Sequence, residues 1–277
     1  MNLKNKSTKI FISVVAVLLP IILVACITSG VSSDTYSHEE ISYSTTDQHD
    51  FNADLFLPTQ SLGKRPLVIV IHGGGWDSRA GDMVNLCKHI AASGMIAMNI
   101  TYRLAPKFHY PIQVNDVKSS VEWVNHNIEK YNIDKNKIYT WGYSAGAHLA
   151  FLLGNQKDMA LPISGIVVGG IPSYFPTYPK SPLITAFIGA TFNDQPKVWE
   201  EASPLTKVDM KTPPTFIYHG QNDSLIEVKQ AQMLNDKLQE VGVKHQFHMV
   251  KGLGHITTYF FSKESEDLGI QFLKNIQ

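Results

Sequence analysis

Residues 137–150 read KIYTWGYSAGAHLA, and this stretch decides the fold that we expect. The segment Lys137–Trp141 is predicted to be a strand, and a helix is predicted to begin at Ser144. Between them lies the G-x-S-x-G sequence Gly142–Gly146, whose glycines permit a tight turn that holds the serine at strained backbone angles. This setting predicts that Ser144 is a nucleophile. The free N–H groups at the start of the helix would stabilise a developing negative charge beside it.

A second glycine-rich sequence, HGGGW at residues 72–76, directly follows the apolar segment Leu67–Ile71, which we predict to be a strand. Three successive glycines leave their backbone N–H groups unobstructed, as an oxyanion hole requires. The alternatives are a structural turn and a phosphate-binding loop. A phosphate loop is disfavoured, because the sequence contains neither Gly-Lys-Ser/Thr nor G-x-G-x-x-G.

A serine nucleophile needs a base, and the base needs an acid to orient it. Asp223 follows the predicted strand Thr215–His219, and His255 follows the predicted strand His245–Val250. Both side chains are therefore expected at the carboxyl edge of the sheet, where the serine also lies. Glu227 is a rival acid, but it is predicted to begin the next helix, so Asp223 is favoured.

The remaining histidines have no comparable setting. His245 and His248 lie within a predicted strand, and the others are predicted to be structural or solvated: His38, His49, His89, His109, His126, His148 and His219. No metal-ligand spacing such as H-E-x-x-H occurs, so neither a metal nor another cofactor is expected.

Apolar and amphipathic segments alternate along the chain, which predicts parallel β-α-β units and an α/β fold. The further predicted strands are Met95–Ile100 and Gly165–Val168, and the further predicted helices are Asp82–Ala92, Pro111–Tyr131, Glu227–Val241 and Ser262–Asn275. Two leading segments, Ile41–Ser44 and Asp50–Leu57, are predicted to be antiparallel edge strands. We therefore expect one domain over residues 38–277, with a mostly parallel central sheet flanked by helices.

Residues 171–204 interrupt this alternation with six prolines and a series of aromatic residues. A loop of this length inside a compact domain is usually functional. We interpret it as a short cap insertion over the carboxyl edge of the sheet. A surface excursion that packs its own aromatic residues is the alternative.

Together these motifs resemble those of the hormone-sensitive-lipase-like branch of the α/β-hydrolases. The resemblance covers about residues 65–256 and is carried by HGGGW, YRLAP at 102–106, GYSAGAHLA at 142–150, ASP at 202–204, HGQND at 219–223 and GLGH at 252–255. It implies the α/β-hydrolase fold and a serine hydrolase that cleaves carboxylic esters through Ser144, Asp223 and His255. The chain departs from many members at Ala147, where they carry glycine, but alanine is also small.

The same resemblance implies that the amides of Gly74, Gly75 and Ala145 bind the oxyanion, and it suggests a structural pair between Arg103 and Asp116. The chain has no large N-terminal cap, so it looks closer to compact carbohydrate and acetyl esterases than to lipases. Short-chain acyl esters, or acylated small molecules and sugars, are the implied substrates.

Three aromatic residues, Trp76, Tyr143 and Phe187, are predicted to line the substrate pocket. An amidase or serine exopeptidase with the same triad is an alternative, as are an acyltransferase and a catalytically silent binding protein on this fold. The natural substrate, the oligomeric state and a role for Cys87 are not predicted.

The N-terminal residues resemble a bacterial lipoprotein signal peptide. Lysines precede the apolar run Ile10–Val24, which is too short to span a membrane comfortably. The run leads to the lipobox-like sequence LVAC at 23–26, which implies cleavage before Cys26 and lipid attachment to its sulfur. We therefore expect a signal peptide at 1–25, a flexible tether at 26–37 and a lipid anchor on the extracytoplasmic side of the bacterial cell envelope. An uncleaved anchor helix is the alternative.

Composition excludes one further class of partner. The formal net charge is zero, and no cluster of lysine and arginine of the kind that a phosphate backbone requires is present. Nucleic-acid binding is therefore not expected.

Overall fold

A mixed eight-stranded sheet forms the centre of the protein. The computed structural model describes residues 35–46, 49–60, 63–80 and 82–276. The strands are β1 (Tyr36–Thr46), β2 (His49–Pro58), β3 (Arg65–Ile71), β4 (Ile96–Ile100), β5 (Ile133–Tyr143), β6 (Gly165–Gly169), β7 (Thr215–Gly220) and β8 (His245–Val250). Their order is β1-β2-β4-β3-β5-β6-β7-β8. The β1–β2 and β2–β4 pairs are antiparallel and the other pairs are parallel, so the predicted α/β fold class is confirmed.

Helices follow most of the parallel strands. They are α1 (Val84–Ala92), α2 (Ile112–His126), α3 (Ala145–Gly154), α4 (Pro182–Ile188), α5 (Pro196–Glu201), α6 (Val228–Glu240), α7 (His255–Phe261) and α8 (Lys263–Lys274). Short 3-10 turns occupy Phe175–Thr177 and Pro204–Lys207. None of the helices within the described ranges is long and apolar enough to cross a membrane.

Both faces of the sheet are covered, as the side chains of β3 show. Leu67, Ile69 and Ile71 belong to one hydrophobic cluster, and Val68 and Val70 belong to a second. Because side chains of a strand alternate between faces, the two clusters lie on opposite sides of the sheet. All five side chains are fully buried, which explains why this strand is an unbroken apolar run.

The parallel strands bring the predicted functional segments to one edge. Strands β3 and β5 are parallel neighbours, as are β7 and β8. They end at Ile71, Tyr143, Gly220 and Val250. The segments that follow these residues therefore meet at the carboxyl edge of the sheet.

The predicted cap segment, residues 171–204, folds into α4, α5 and a 3-10 turn. Phe175, Phe187 and Trp199 are fully buried, so the segment packs its aromatic residues into the main cluster. Its α4 reaches the HGGGW loop, because a Cβ atom on Gly75 would lie 3.2 Å from the Leu183 side chain.

Several boundaries differ from the sequence-based predictions. β1 begins at Tyr36 and pairs it with Pro58, so the strand includes the end of the predicted tether. α2 ends at His126 rather than at Tyr131, because the Asn127 amide and side chain cap the last turn. Helix α7, directly after the last strand, was not predicted.

The predicted signal peptide, residues 1–25, and Cys26 lie outside the described residues, as does the tether up to residue 34.

Candidate active site

Ser144 occupies the turn between β5 and α3 in a backbone conformation that residues with side chains rarely adopt. Its φ is 55° and its ψ is −122°, and its amide donates to the Gly169 carbonyl at 2.8 Å. A Cβ atom on Gly142 would overlap the Gly146 carbonyl oxygen, and one on Gly146 would overlap the Ile71 carbonyl oxygen. Glycine is required on both sides of Ser144, because the turn brings the strand and helix backbones into direct contact.

The HGGGW loop lies against Ser144. A Cβ atom on Gly73 would lie 3.5 Å from the Cβ atom of Ser144. Gly74 and Gly75 have φ values of 101° and 60°, which favour glycine. The Gly74 carbonyl accepts a hydrogen bond from the Asp77 amide at 3.1 Å, so the loop is closed by its own backbone.

His72 anchors the start of this loop. Its ring stacks on Tyr102, with centroids 4.4 Å apart and an interplanar angle of 10°, and its Nδ1 lies 2.7 Å from the Gly73 carbonyl oxygen. Burial lowers the pKa of His72 to about 4. The ring is therefore neutral at pH 7, with Nδ1–H donating to Gly73.

The third predicted oxyanion donor, Ala145, is the first residue of α3 and directly follows Ser144. Amides in the first turn of a helix have no acceptor within the helix, and the helix dipole adds positive charge there. An anion formed on a group bonded to Ser144 would therefore meet favourable electrostatics.

Asp223 and His255 lie in contact after β7 and β8. The His255 Nδ1 lies 2.6 Å from Asp223 Oδ2, and Asp223 Oδ1 accepts from the amides of Leu225 at 3.0 Å and Ile226 at 2.8 Å. Burial raises the pKa of Asp223, but hydrogen bonds from His219 and His255 outweigh it and hold that pKa well below its usual range. The carboxylate is therefore ionised and accepts the His255 Nδ1–H.

His219 is a residue at this site whose position sequence analysis missed. Its Nε2 lies 3.3 Å from Asp223 Oδ2 and 2.8 Å from the Ile226 carbonyl oxygen. The ring is fully buried at the end of β7. The sequence carried no signal for this contact, because it depends on how the loop between His219 and Asp223 folds back on the strand.

His255 begins α7 and is fixed by its neighbours. The Tyr143 hydroxyl donates to the His255 carbonyl at 2.6 Å, and a Cβ atom on Gly170 would lie 2.9 Å from the His255 Cε1 atom. Glu227, the rival acid, is exposed directly before α6.

Ser144 and His255 open into one pocket of about 250 Å³. One part of its wall is the glycine loop, with Gly73, Gly74, Gly75 and Ala80. The rest consists mainly of apolar and aromatic side chains from around α7: Tyr143, Leu225, Ile256, Tyr259 and Phe260.

Of the three aromatic residues predicted to line the pocket, only Tyr143 is on this wall. Trp76 is 3% exposed and Phe187 is fully buried. Their rings stack on each other with centroids 4.7 Å apart. The structure therefore corrects the prediction for Trp76 and Phe187, which pack in the core between the glycine loop and α4.

The suggested pair between Arg103 and Asp116 is present. The guanidinium contacts the carboxylate through Nε at 3.0 Å and Nη2 at 2.6 Å, and the Arg103 amide donates to Oδ2 at 2.9 Å. The side chain of Asp116 is 1% exposed. The pair joins the loop after β4 to α2.

No group of three or more histidine, cysteine, aspartate or glutamate side chains in the described ranges could hold a metal ion.

Comparisons with known proteins give a family and a fold. The family described as BD-FAE matches residues 53–164 and 173–238, more than half of the chain. Esterase LipC of Mycobacterium tuberculosis is 30% identical over 220 residues, which cover 72% of this chain and 54% of that protein. The chain spans about half the length of the curated relatives it matches.

Two solved structures share the fold. A truncated carbohydrate esterase from gut microbiota superimposes with a TM-score of 0.75 at 23% identity, covering 88% of this chain and 97% of that one. An acetyl ester-xyloside bifunctional hydrolase from Caldicellulosiruptor lactoaceticus gives a TM-score of 0.76 at 23% identity, covering 86% and 96%.

Proposed function

This chain belongs to the BD-FAE family and has the α/β-hydrolase fold, and from that premise we propose that it is a serine esterase. The observation that carries the proposal is the shared pocket of Ser144 and His255, with Asp223 at 2.6 Å from the far side of the imidazole. A strained serine, a base and an ionised acid are the three components that activate a hydroxyl nucleophile.

The reaction would begin with proton transfer from Ser144 to His255. Because Nδ1–H donates to Asp223, the Nε2 of His255 is the free acceptor, and the Asp223 carboxylate stabilises the imidazolium that forms. The Ser144 oxygen attacks the ester carbonyl. The resulting oxyanion would accept hydrogen bonds from the amides of Gly74, Gly75 and Ala145.

The tetrahedral intermediate then collapses. His255 gives its proton to the leaving alcohol oxygen, and the acyl group stays on Ser144. Water is activated by the same histidine, adds to the acyl carbon and releases the acid, which restores the serine hydroxyl. No cofactor takes part in these steps.

We infer that the acyl group of the substrate is short, because side chains pack closely beside the glycine loop. Leu183 lies against Gly75, and Trp76 and Phe187 fill the space behind it. The proposed substrates are therefore short-chain acyl esters of small alcohols or sugars.

The test is hydrolysis of p-nitrophenyl esters from acetate to palmitate by the wild type, Ser144→Ala and the control Ser42→Ala, which changes an exposed serine on β1. We expect turnover that peaks at short chains and falls by about 10⁴–10⁶-fold in Ser144→Ala alone. A folded wild type that cleaves none of these esters would contradict the proposal and favour an amide substrate.

We also propose the lipid anchor at Cys26 and a place in the bacterial cell envelope, supported by the N-terminal sequence alone. Labelled palmitate entering the wild type but not Cys26→Ala in bacterial cells is the expected result. Equal labelling of the two would rule out this anchor.

A further inference from the structure

The catalytic pocket has an apolar wall that faces solvent. Leu225, Ile256 and Phe260 line the pocket and are 54%, 60% and 65% exposed. Ile256 and Phe260 are one helical turn apart on α7, so their side chains lie on the same face of that helix. Apolar side chains grouped at a pocket, rather than scattered singly, indicate a binding surface.

Apart from the proposed catalytic residues, the side chains of this wall offer no free hydrogen-bond donor to a bound hydroxyl group. Tyr143 donates its hydroxyl hydrogen to the His255 carbonyl at 2.6 Å, and Tyr259 donates its own to the Asp82 carbonyl at 2.7 Å. Apart from His255, none of the described residues that line the pocket has an ionisable charge near neutral pH. A sugar placed here would lose water from its hydroxyl groups without gaining donors in return, which is costly.

The mechanism decides which half of the ester meets this wall. His255 must deliver its proton to the leaving alcohol oxygen, so that oxygen lies within hydrogen-bond distance of the imidazole. His255 is the first residue of α7, and Ile256 follows it directly. The group attached to the leaving oxygen therefore begins beside the apolar face of α7, while the carbonyl oxygen points towards the glycine loop.

We propose that Leu225, Ile256 and Phe260 bind the alcohol half of the substrate, and that this alcohol is an apolar alkyl or aryl group rather than a sugar. The inference rests on the proposed esterase function and narrows its substrate class. Phe260 is the specificity-determining residue, because its ring is large and flat and is held by an edge-on contact with Tyr259 at 4.8 Å between centroids.

The first experiment compares acetates of primary alcohols, whose ester bonds have similar intrinsic reactivity. Substrates are methyl acetate, hexyl acetate, 2-phenylethyl acetate and glucose 6-acetate, assayed with the full chain. We expect kcat/KM for hexyl and 2-phenylethyl acetate to exceed that for glucose 6-acetate by at least about tenfold. Equal or faster cleavage of glucose 6-acetate would overturn the proposal.

The second experiment compares Phe260→Ala with Phe261→Ala. Phe261 is the next residue on α7 and is 73% exposed, but it does not line the pocket. Phe260→Ala should lower the ratio of kcat/KM between 2-phenylethyl and methyl acetate by about tenfold, mainly through KM. Phe261→Ala should preserve this ratio. A ratio unchanged by Phe260→Ala, or lowered equally by both variants, would contradict the assignment.

A binding measurement separates this inference from the proposed function. Calorimetric titration with 2-phenylethanol and with glucose needs no turnover. Binding of 2-phenylethanol alone, weakened by Phe260→Ala and not by Phe261→Ala, would support the apolar wall even if no ester were cleaved. Ester cleavage without this binding preference would leave the esterase proposal intact and overturn the proposal that the apolar wall binds the alcohol group.

Discussion

At the residue scale, the geometry around Asp223 explains how a single acid can hold the imidazole of His255, the proposed base. Its Oδ1 receives two backbone amides, and its Oδ2 faces His255 at 2.6 Å and His219 at 3.3 Å. Hydrogen bonds to both oxygens favour the ionised form and fix the plane of the carboxylate. Asp223 is therefore oriented before any substrate arrives.

His219 contributes to that orientation at a cost. Because its Nε2 faces two acceptors, Asp223 and the Ile226 carbonyl, the ring hydrogen lies on Nε2. Its Nδ1 is then buried with no hydrogen-bond partner among the described residues. An unsatisfied buried nitrogen is unfavourable, and such groups call for a compensating role. Here the compensation is that the His219 ring contacts both the Asp223 carboxylate and the Ile226 carbonyl in the loop that follows it.

We predict that His219→Phe lowers kcat for a short-chain ester by about tenfold while KM changes little, because it removes a donor to Asp223 and not a contact with substrate. His219→Gln, whose amide can donate from a similar position, should recover most of the rate. Steady-state kinetics of both variants is the measurement. If His219→Gln and His219→Phe reduce kcat equally, or if KM rises instead, His219 does not position Asp223.

Some residues of this site could be predicted from the sequence and others could not. Asp223 and His255 could be predicted because each follows a strand, and strand ends share an edge. His219 could not be placed, because its contact depends on how the loop folds back. The prediction for Trp76 and Phe187 was wrong because an aromatic residue beside a glycine motif or in a cap segment can pack in the core as well as line a pocket.

At the element scale, the Arg103–Asp116 pair fastens the loop after β4 to α2. The carboxylate takes two guanidinium contacts and one amide, and its side chain is almost completely buried. The guanidinium also lies 5.2 Å from the centre of the Phe108 ring. Breaking a buried pair leaves a charge without compensation, which costs more than the pair itself contributes.

We predict that Asp116→Ala lowers the free energy of unfolding by about 3–5 kcal/mol, as expected when one member of a buried pair is removed. Asp209→Ala is the matched control, because Asp209 is 42% exposed and pairs with Lys157 at the surface. That variant should lose less than about 1 kcal/mol. Urea unfolding gives both values. Similar losses in the two variants would show that burial does not decide the strength of the Arg103–Asp116 pair.

The bounds of several strands could be predicted, most directly for the apolar run of β3. β8 has the predicted bounds, and β3 and β7 extend the predicted segments by one or two residues. Helix α7 escaped prediction because it is short and carries exposed apolar residues such as Ile256 and Phe260. Exposed apolar side chains are unusual on a helix that faces water, but they are expected on a helix that lines a pocket.

At the scale of the whole molecule, His148 links three parts of the fold. It lies on α3, its Nδ1 accepts from the Trp76 indole at 3.3 Å, and its Nε2–H donates to the Ala202 carbonyl at 2.8 Å. It thus joins helix α3, the glycine loop and the end of the predicted cap segment. Both bonds require a neutral ring with hydrogen on Nε2 alone.

Buried neutral histidines make the stability of such a fold depend on pH. Burial lowers the pKa of His72 to about 4 and that of His148 to about 3, whereas a histidine in an unfolded chain has a pKa of about 6.5. Between these values the unfolded chain binds protons that the folded chain does not. The stabilisation is therefore complete above about pH 6.5, and it is lost as the pH falls towards 4 for His72 and towards 3 for His148.

We predict that the free energy of unfolding, measured with urea, falls between pH 7 and pH 5, and that each of these two histidines accounts for about 2 kcal/mol of the fall. His148→Gln can keep both hydrogen bonds but cannot take up a proton, so its fall should be smaller than that of the wild type by about this amount. His126→Gln, which changes an exposed histidine at the end of α2, should fall as the wild type does. If His148→Gln and the wild type have the same pH dependence, protonation of His148 is not what destabilises the folded chain in acid. The same comparison with a His72 variant would then test the histidine where the glycine loop begins.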